Sequence, residues 1–372
     1  MGSVPQKPLN MLDKVDFFMP AWHNLVLRQI ANLVSARISR FKSGRRRTNM
    51  QKEVFSKLPK SLVFAADVGG TNTNIGLCSV KGNKVVLHVK YRFDSQKTKF
   101  EDAVKQVLKD AKVKISSACI AAAGPVSPDR KTCQLTNVRW KIDARKLPFK
   151  CLLLNDFEAL GYAVNVLQPK DVKLVRNGKS NNLPVALLGA GTGLGKTLLL
   201  NYHGMYHPNA SEGGHADLPV TAEESEFLLW CRERVVEYED VLSGRGIVHI
   251  YNFMLTKYDG SGTSDPAEIM KEDSPAAEHT RKQFIKFYAR CAKNFALDGL
   301  ARGGVVIAGG IAAKNSNLFN AEFVKEFMRN ETQKELLSKI PIRVITNYDA
   351  GLFGAAFAAK CFKEGHICLE YG

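Results

Sequence analysis

The sequence has no C-x-x-C pair, no apolar run approaching the roughly 20 residues of a membrane-crossing helix, and no acid anywhere between Phe17 and Lys52. Its eight cysteines are scattered, several of them inside apolar runs, and they read as reduced core thiols of an intracellular chain. No secretory signal is visible. A soluble, cytoplasmic protein is the expectation, and its 372 residues at 45% hydrophobic content are enough for two packed domains.

The missing acids mark out the first sixty residues. The whole chain carries a formal charge of +17, and residues 1–60 hold twelve basic side chains against three acids. Within them Trp22, Leu25, Val26, Ile30, Leu33, Val34, Ile38 and Phe41 recur at helical spacing. Three readings fit this basic extension: an organelle presequence or membrane-surface helix, a contact of Arg45, Arg46 and Arg47 with a polyanion, or a helix packed on the body with its charges solvated.

The body is organised around residues 62–80, LVFAADVGGTNTNIGLCSV. A short apolar run reaches Asp67, breaks at Gly69 and Gly70, and returns through Ile75, Leu77 and Val80, which predicts a strand hairpin. Unhindered backbone N–H groups and small polar side chains at such a bend suit a polyphosphate. An acid beside them makes sense with Mg²⁺ in between.

Beyond it the pattern predicts a third strand over 85–93, a helix over 100–111, a buried strand from Ala118 to Gly124, and a strand at 151–154 that delivers Asn155 and Asp156 just before a helix over 157–166. Ligands of α/β folds gather at such strand ends, although an acid there also serves as a plain helix cap. Residues 184–202 repeat the strand, glycine turn, strand pattern around GAGTGLG (residues 189–195), so the chain reads as internally duplicated. This second turn runs into Lys196 and Thr197 like a Walker A loop, but the following Leu198, Leu199 and Leu200 continue as strand where a P-loop requires a helix. Further on the pattern predicts a loop carrying Glu212 and His215, helices over 222–235, from near Ser243 and over 275–300, a strand over 304–308 broken by Gly309 and Gly310, a strand over 340–346 and an alanine-rich helix over 350–362.

Taken in order, DVGGTN (67–72), Thr136 and Asn137 before Trp140, NDF (155–157), GAGTGLG (189–195), EGGH (212–215), E-x-VLSG (239–244) and AGGI (308–311) resemble the motifs of bacterial-type glucokinases in the hexokinase/actin-like ATPase superfamily. The resemblance covers residues 62–363. It implies an α/β, two-lobed duplicated fold with an active-site cleft between a small domain, residues 61–165 completed by 346–372, and a large domain, residues 166–345. It implies Asp156 as catalytic base, with Asn155, Asp156, Glu212, His215, Glu239 and Asn137 on glucose. Ala66, Asp67, Val68, Gly69, Gly70 and Thr71 are implied in the first ATP phosphate loop and Thr192 and Gly193 in the second, with Gly309 and Gly310 near the adenosine and Asp67 reaching Mg²⁺ through water.

The implied chemistry is coherent, because a sugar hydroxyl is a poor nucleophile and needs a carboxylate to take its proton as the phosphoryl group arrives. Lys196 departs from the family pattern, which often has a small or apolar residue there. A ROK-type kinase of another hexose or N-acetylhexosamine is the alternative, but those enzymes carry a cysteine-rich zinc motif soon after Glu-x-Gly-His, and here Cys231 stands alone. A non-catalytic sugar-sensing regulator has little need of an intact base and two phosphate loops. The expected partners are glucose and ATP, with a homodimer and an anionic surface for the extension also in view and no specific nucleic acid.

Overall fold

The computed structural model describes residues 50–136, 138–179, 182–231 and 236–367. The amphipathic stretch of the basic extension and the candidate Asn137 lie outside them. Among the described residues no helix is long and apolar enough to cross a membrane.

Two six-stranded sheets carry the molecule. The first contains β1 (Met50–Val54), β2 (Ser61–Val68), β3 (Asn72–Lys81), β4 (Lys84–Asp94), β5 (Lys114–Ala122) and β8 (Cys151–Asn155), in the order β1-β4-β3-β2-β5-β8. The second contains β9 (Val172–Arg176), β10 (Val185–Ala190), β11 (Leu194–Tyr202), β12 (Met205–Ser211), β13 (Gly304–Ala308) and β14 (Ile342–Ile345), in the order β12-β11-β10-β13-β14-β9. In each, an antiparallel three-strand meander opens the unit and two parallel strands follow. The duplication read from the glycine turns is therefore a repeat of five strands, β4-β3-β2-β5-β8 matching β12-β11-β10-β13-β14, while the sixth lies on opposite edges, β1 beside β4 and β9 beside β14. A small ribbon of β6 (Thr132–Gln134) and β7 (Lys141–Asp143) adds Cys133 and Ile142 to a core of the first sheet.

The parallel strands are nearly continuous apolar runs because both of their faces are covered. On one face of the first sheet Leu62, Phe64, Ala66 and Val68 pack with α1 (Phe100–Ala111). On the other, Val63 and Ala65 meet α2 (Asp156–Ala163) and the last helix, here α7 (Ala350–Lys363). The second sheet builds the larger core with α3 (Tyr238–Val241), α4 (Gly244–Met254) and α5 (Pro275–Asp298).

Helix α2 lies between the sheets. A Cβ on Gly354 of α7 would fall 1.8 Å from the Ala159 carbonyl oxygen, and one on Gly161 would fall 2.8 Å from Leu199 and Pro208 of the second sheet. Only glycine permits these approaches.

Three local expectations change. Strand β1 lies inside the stretch read as extension, paired residue for residue with 89–93 of β4, so the first sheet starts at Met50 rather than Leu62. The helix foreseen over 222–235 is a single 3₁₀ turn followed by Ser225–Trp230, with 232–235 outside the described residues. The helix foreseen over 157–166 begins at Asp156 and ends at Ala163.

Candidate active site

Register brings the site together. Val68, Ala122 and Asn155 are neighbouring rungs at the carboxyl edge of the first sheet, so the chain leaving β2, β5 and β8 emerges side by side. In the second sheet Gly189 pairs with Ala308, which sets the glycine turn 191–193 beside Gly309.

Asn155 is the cap of α2. Its side-chain oxygen accepts the Phe157 N–H at 2.9 Å, and Glu158 reaches back to the Asn155 N–H at 2.9 Å, closing a capping box. Asp156, the residue for which a cap was the plain alternative, shares the Phe157 N–H, its Oδ1 accepting it at 3.0 Å. Arg130 holds Glu158 through two hydrogen bonds of 3.1 and 2.9 Å, and the Asn155 amide donates to the Gly124 carbonyl at 3.4 Å. The helix start is locked from behind.

Burial, followed by the charge of Asp67, pushes the Asp156 carboxyl up to about 7, against the lowering pull of the Phe157 N–H. Asp67 is itself pushed up to about 6 by burial, with Lys90 opposing and Asp349 adding to the rise. Lys90 and Asp349 form an ion pair at 2.5 Å behind Asp67. Two buried carboxylates thus sit in each other's field.

Gly69 closes the first turn, donating its N–H to the Asn72 carbonyl at 2.9 Å, while the Gly70 carbonyl accepts from Gln96 at 2.8 Å and the Thr71 carbonyl from the Ser95 N–H at 3.0 Å. Ala66 and Val68 are fully buried in the core below the sheet, so of the six residues expected in this loop their side chains do not reach it.

In the second turn the Gly191 N–H donates to the Gly193 carbonyl at 2.8 Å, and Thr192 is exposed at its tip. Glu239 accepts the Leu194 N–H at 2.9 Å, and a Cβ on Gly193 would come within 2.5 Å of its carboxylate. Glu239, expected on the sugar, therefore braces the second glycine turn. Gly309 opens α6 (Gly309–Lys314) at φ +89°, where a Cβ would strike the Ala190 carbonyl at 2.5 Å, and Gly310 next to it has open space.

Glu212 and His215 flank a 3₁₀ turn, Gly213–His215. Gly214 must lack a side chain, since a Cβ would lie 2.2 Å from the Leu194 carbonyl oxygen. His215 Nδ1 meets Glu237 at 2.7 Å, and that contact raises the imidazole above its ordinary value.

Sequence reasoning missed Glu237, Arg130 and Glu158, which carry no motif of their own. Glu158 was open to detection, because Asn155-x-x-Glu158 before an apolar run is a capping-box spacing. Phe157 closes the NDF motif. Its ring covers the paired glycines Gly189 and Gly195, where a Cβ would lie 3.0 and 2.1 Å away.

Two sheets sharing a five-strand order, each delivering a glycine turn to its strand ends with a capped acidic helix packed between them, define a member of the hexokinase/actin-like ATPase superfamily. The glucokinase family model matches residues 64–361, and the chain belongs to the glucokinase family. It is accordingly a hexose kinase. A glucokinase of Nostoc punctiforme is 34% identical over 340 residues, covering 80% of this chain and 99% of the relative. Among solved structures, glucokinase from an Antarctic psychrotroph is 26% identical with a TM-score of 0.70, covering 84% of this chain and 99% of that one. Glucokinase from Balamuthia mandrillaris, solved in complex with glucose, is 26% identical with a TM-score of 0.68, covering 80% and 94%.

Proposed function

We propose that this chain transfers the γ-phosphoryl group of ATP to the 6-hydroxyl of glucose, giving glucose 6-phosphate and ADP, with Asp156 as general base. The observation that carries the reading is the state of Asp156: raised to about 7 by burial and the charge of Asp67, and fixed at the start of a helix capped by Asn155 and locked by Glu158 and Arg130. A base poised near the working pH takes the hydroxyl proton most effectively. Glucose as acceptor is supported by the sugar bound in the Balamuthia mandrillaris structure.

Glu212, His215 and Asn155 offer charged and amide partners for neutral hydroxyls, Glu237 orients the His215 ring, and Asn137 belongs to the same proposed set. The turns at 69–71 and 191–193, with Gly309 and Gly310, form the nucleotide side. Among the described residues no three acidic, His or Cys side chains cluster as a metal cage, while Asp67 and Asp156 repel each other. That donor set fits Mg²⁺ carried in on the phosphates and met by Asp67 through water. When bound it supplies charge neutralisation of the phosphate oxygens. Asp156 accepts the 6-hydroxyl proton, and Asp67 stays ionised beside the phosphate turn.

A coupled assay of ADP release with glucose, mannose, fructose and N-acetylglucosamine tests the reading. Glucose is expected to give the highest kcat/KM. A preference for N-acetylglucosamine, or sugar-independent ATP turnover alone, would overturn it.

A further inference from the structure

Strand β11 carries a lysine in an apolar row. Leu194, Lys196 and Leu198 point to one face of the strand, and Leu194 and Leu198 belong to the large core. Lys196 is 6% exposed, which a lysine tolerates only where its ammonium is provided for. No carboxylate among the described residues forms an ion pair with it. Its Nζ instead lies 4.6 Å from the Phe295 ring centre and 5.1 Å from that of Tyr238, and donates to the Gly213 carbonyl at 3.2 Å. Asn294 holds the Tyr238 hydroxyl at 2.9 Å, so the ring is itself fixed.

The ammonium therefore joins the Glu212–His215 turn to α3 and α5. Gly213 lies in the Glu212–His215 turn, whose glycines have no side chains to anchor it, and Tyr238 stands between Glu237, the partner of His215, and Glu239, the brace of the second glycine turn. The Tyr238 N–H also donates to the Ala216 carbonyl at 3.0 Å.

We propose that Lys196 is a positioning residue for the sugar: clamped between the Tyr238 and Phe295 rings, its ammonium fixes the Gly213 carbonyl and so holds Glu212 and His215 where they meet the hydroxyls. This rests on the reading of 212–215 as the sugar loop. A hydrogen bond from a charged donor, set in a cation–π frame, is strong enough for its loss to be felt in binding.

The test compares Lys196→Met, Lys196→Arg and Glu212→Ala in the full chain, by sugar KM, ATP KM, kcat and Tm. Methionine matches the apolar stem and removes the charge, so the Tm is expected to hold or rise, as when buried charges give way to apolar groups. The glucose KM should rise about 10–100-fold, with kcat and the ATP KM within a few-fold. Arginine keeps a cation over the rings and a donor for Gly213, and should recover part of the glucose affinity even if the methionine variant fails to fold. A glucose KM unchanged in Lys196→Met while Glu212→Ala raises it would overturn the proposal. So would a parallel fall of Tm, kcat and both affinities in Lys196→Met and Lys196→Arg, which marks an ordinary core residue. An unchanged glucose KM in Glu212→Ala would instead overturn the sugar-loop reading beneath it.

Discussion

The two sheets share a five-strand order but hold opposite chemistry at the same edge. One residue before its end, β2 carries Asp67; at the same place β10 carries Gly189. An acid at Gly189 has no room, because the Ala308 backbone lies 2.7 Å from where its Cβ would be and the Phe157 ring 3.0 Å. The second sheet gives up a side chain so that the helix carrying Asp156 can lean on it. The repeat thus supplies two glycine turns, with the carboxylates on one side and the clasp on the other. The second unit draws its acids from outside the sheet, from residues 212–241 inserted between β12 and α5.

The sharpest break in this comparison is Asp156→Asn. The amide keeps the geometry but cannot take a proton, so kcat is expected to fall on the order of 10²–10⁴ while the glucose KM stays within a few-fold. Steady-state kinetics with glucose checks it, and near wild-type turnover would demand another base.

Next, Glu212→Ala and Glu239→Ala should part company. Both are expected to raise the glucose KM about tenfold or more, the effect of unpaired polar partners in a sugar site. Only Glu239→Ala should also raise the ATP KM, because Glu239 holds the Leu194 N–H beside the second turn. Equal ATP KM values in the two variants would mean the brace is idle.

Gly195→Ala tests the clasp. The added methyl lands 2.1 Å from the Phe157 ring, and overpacking of this kind typically costs about 1–3 kcal/mol. A double-mutant cycle with Phe157→Ala, followed by urea unfolding, should return part of that loss.

The smallest effect is a pH signature of the acidic side. Because the folded Asp67 is raised to about 6, its contribution is present below the unfolded carboxyl value near 4 and is lost as pH rises through about 6. Asp67→Asn is expected to raise the Tm of the nucleotide-free protein at pH 8 by on the order of 5 °C, and to leave it unchanged at pH 4. Thermal melts at both values decide it, and a constant difference across pH would exclude the charge as cause.

Both glycine turns were legible in the sequence, since only backbone that must bend or approach closely repeats glycine between apolar runs, and their repetition announced the paired sheets. Asp156 was legible as a residue at a strand end, but the cap on Asn155 was not, because the two neighbours are equally suited to the position. Strand β1 escaped notice because four of its five residues are exposed and only the pairing with β4 reveals it. Lys196 was visible as a departure; its burial between two aromatic rings drawn from α3 and α5 is a tertiary fact that no local pattern carries.

The closing helix has a consequence for how the chain is made. Val63, Ala65, Cys119, Ala121, Leu152 and Leu154 form a face of the first sheet that α7 covers, and α7 is Ala350–Lys363. During synthesis that face waits for nearly two hundred further residues after β8, which at ~5–20 residues per second is on the order of 10–40 s. The sheet begun first on the ribosome therefore waits for the last helix, whereas the second sheet has its strands and its larger core within residues 172–345. A nascent chain arrested before Ala350 would carry an exposed apolar sheet face, the kind of surface that holdase chaperones recognise.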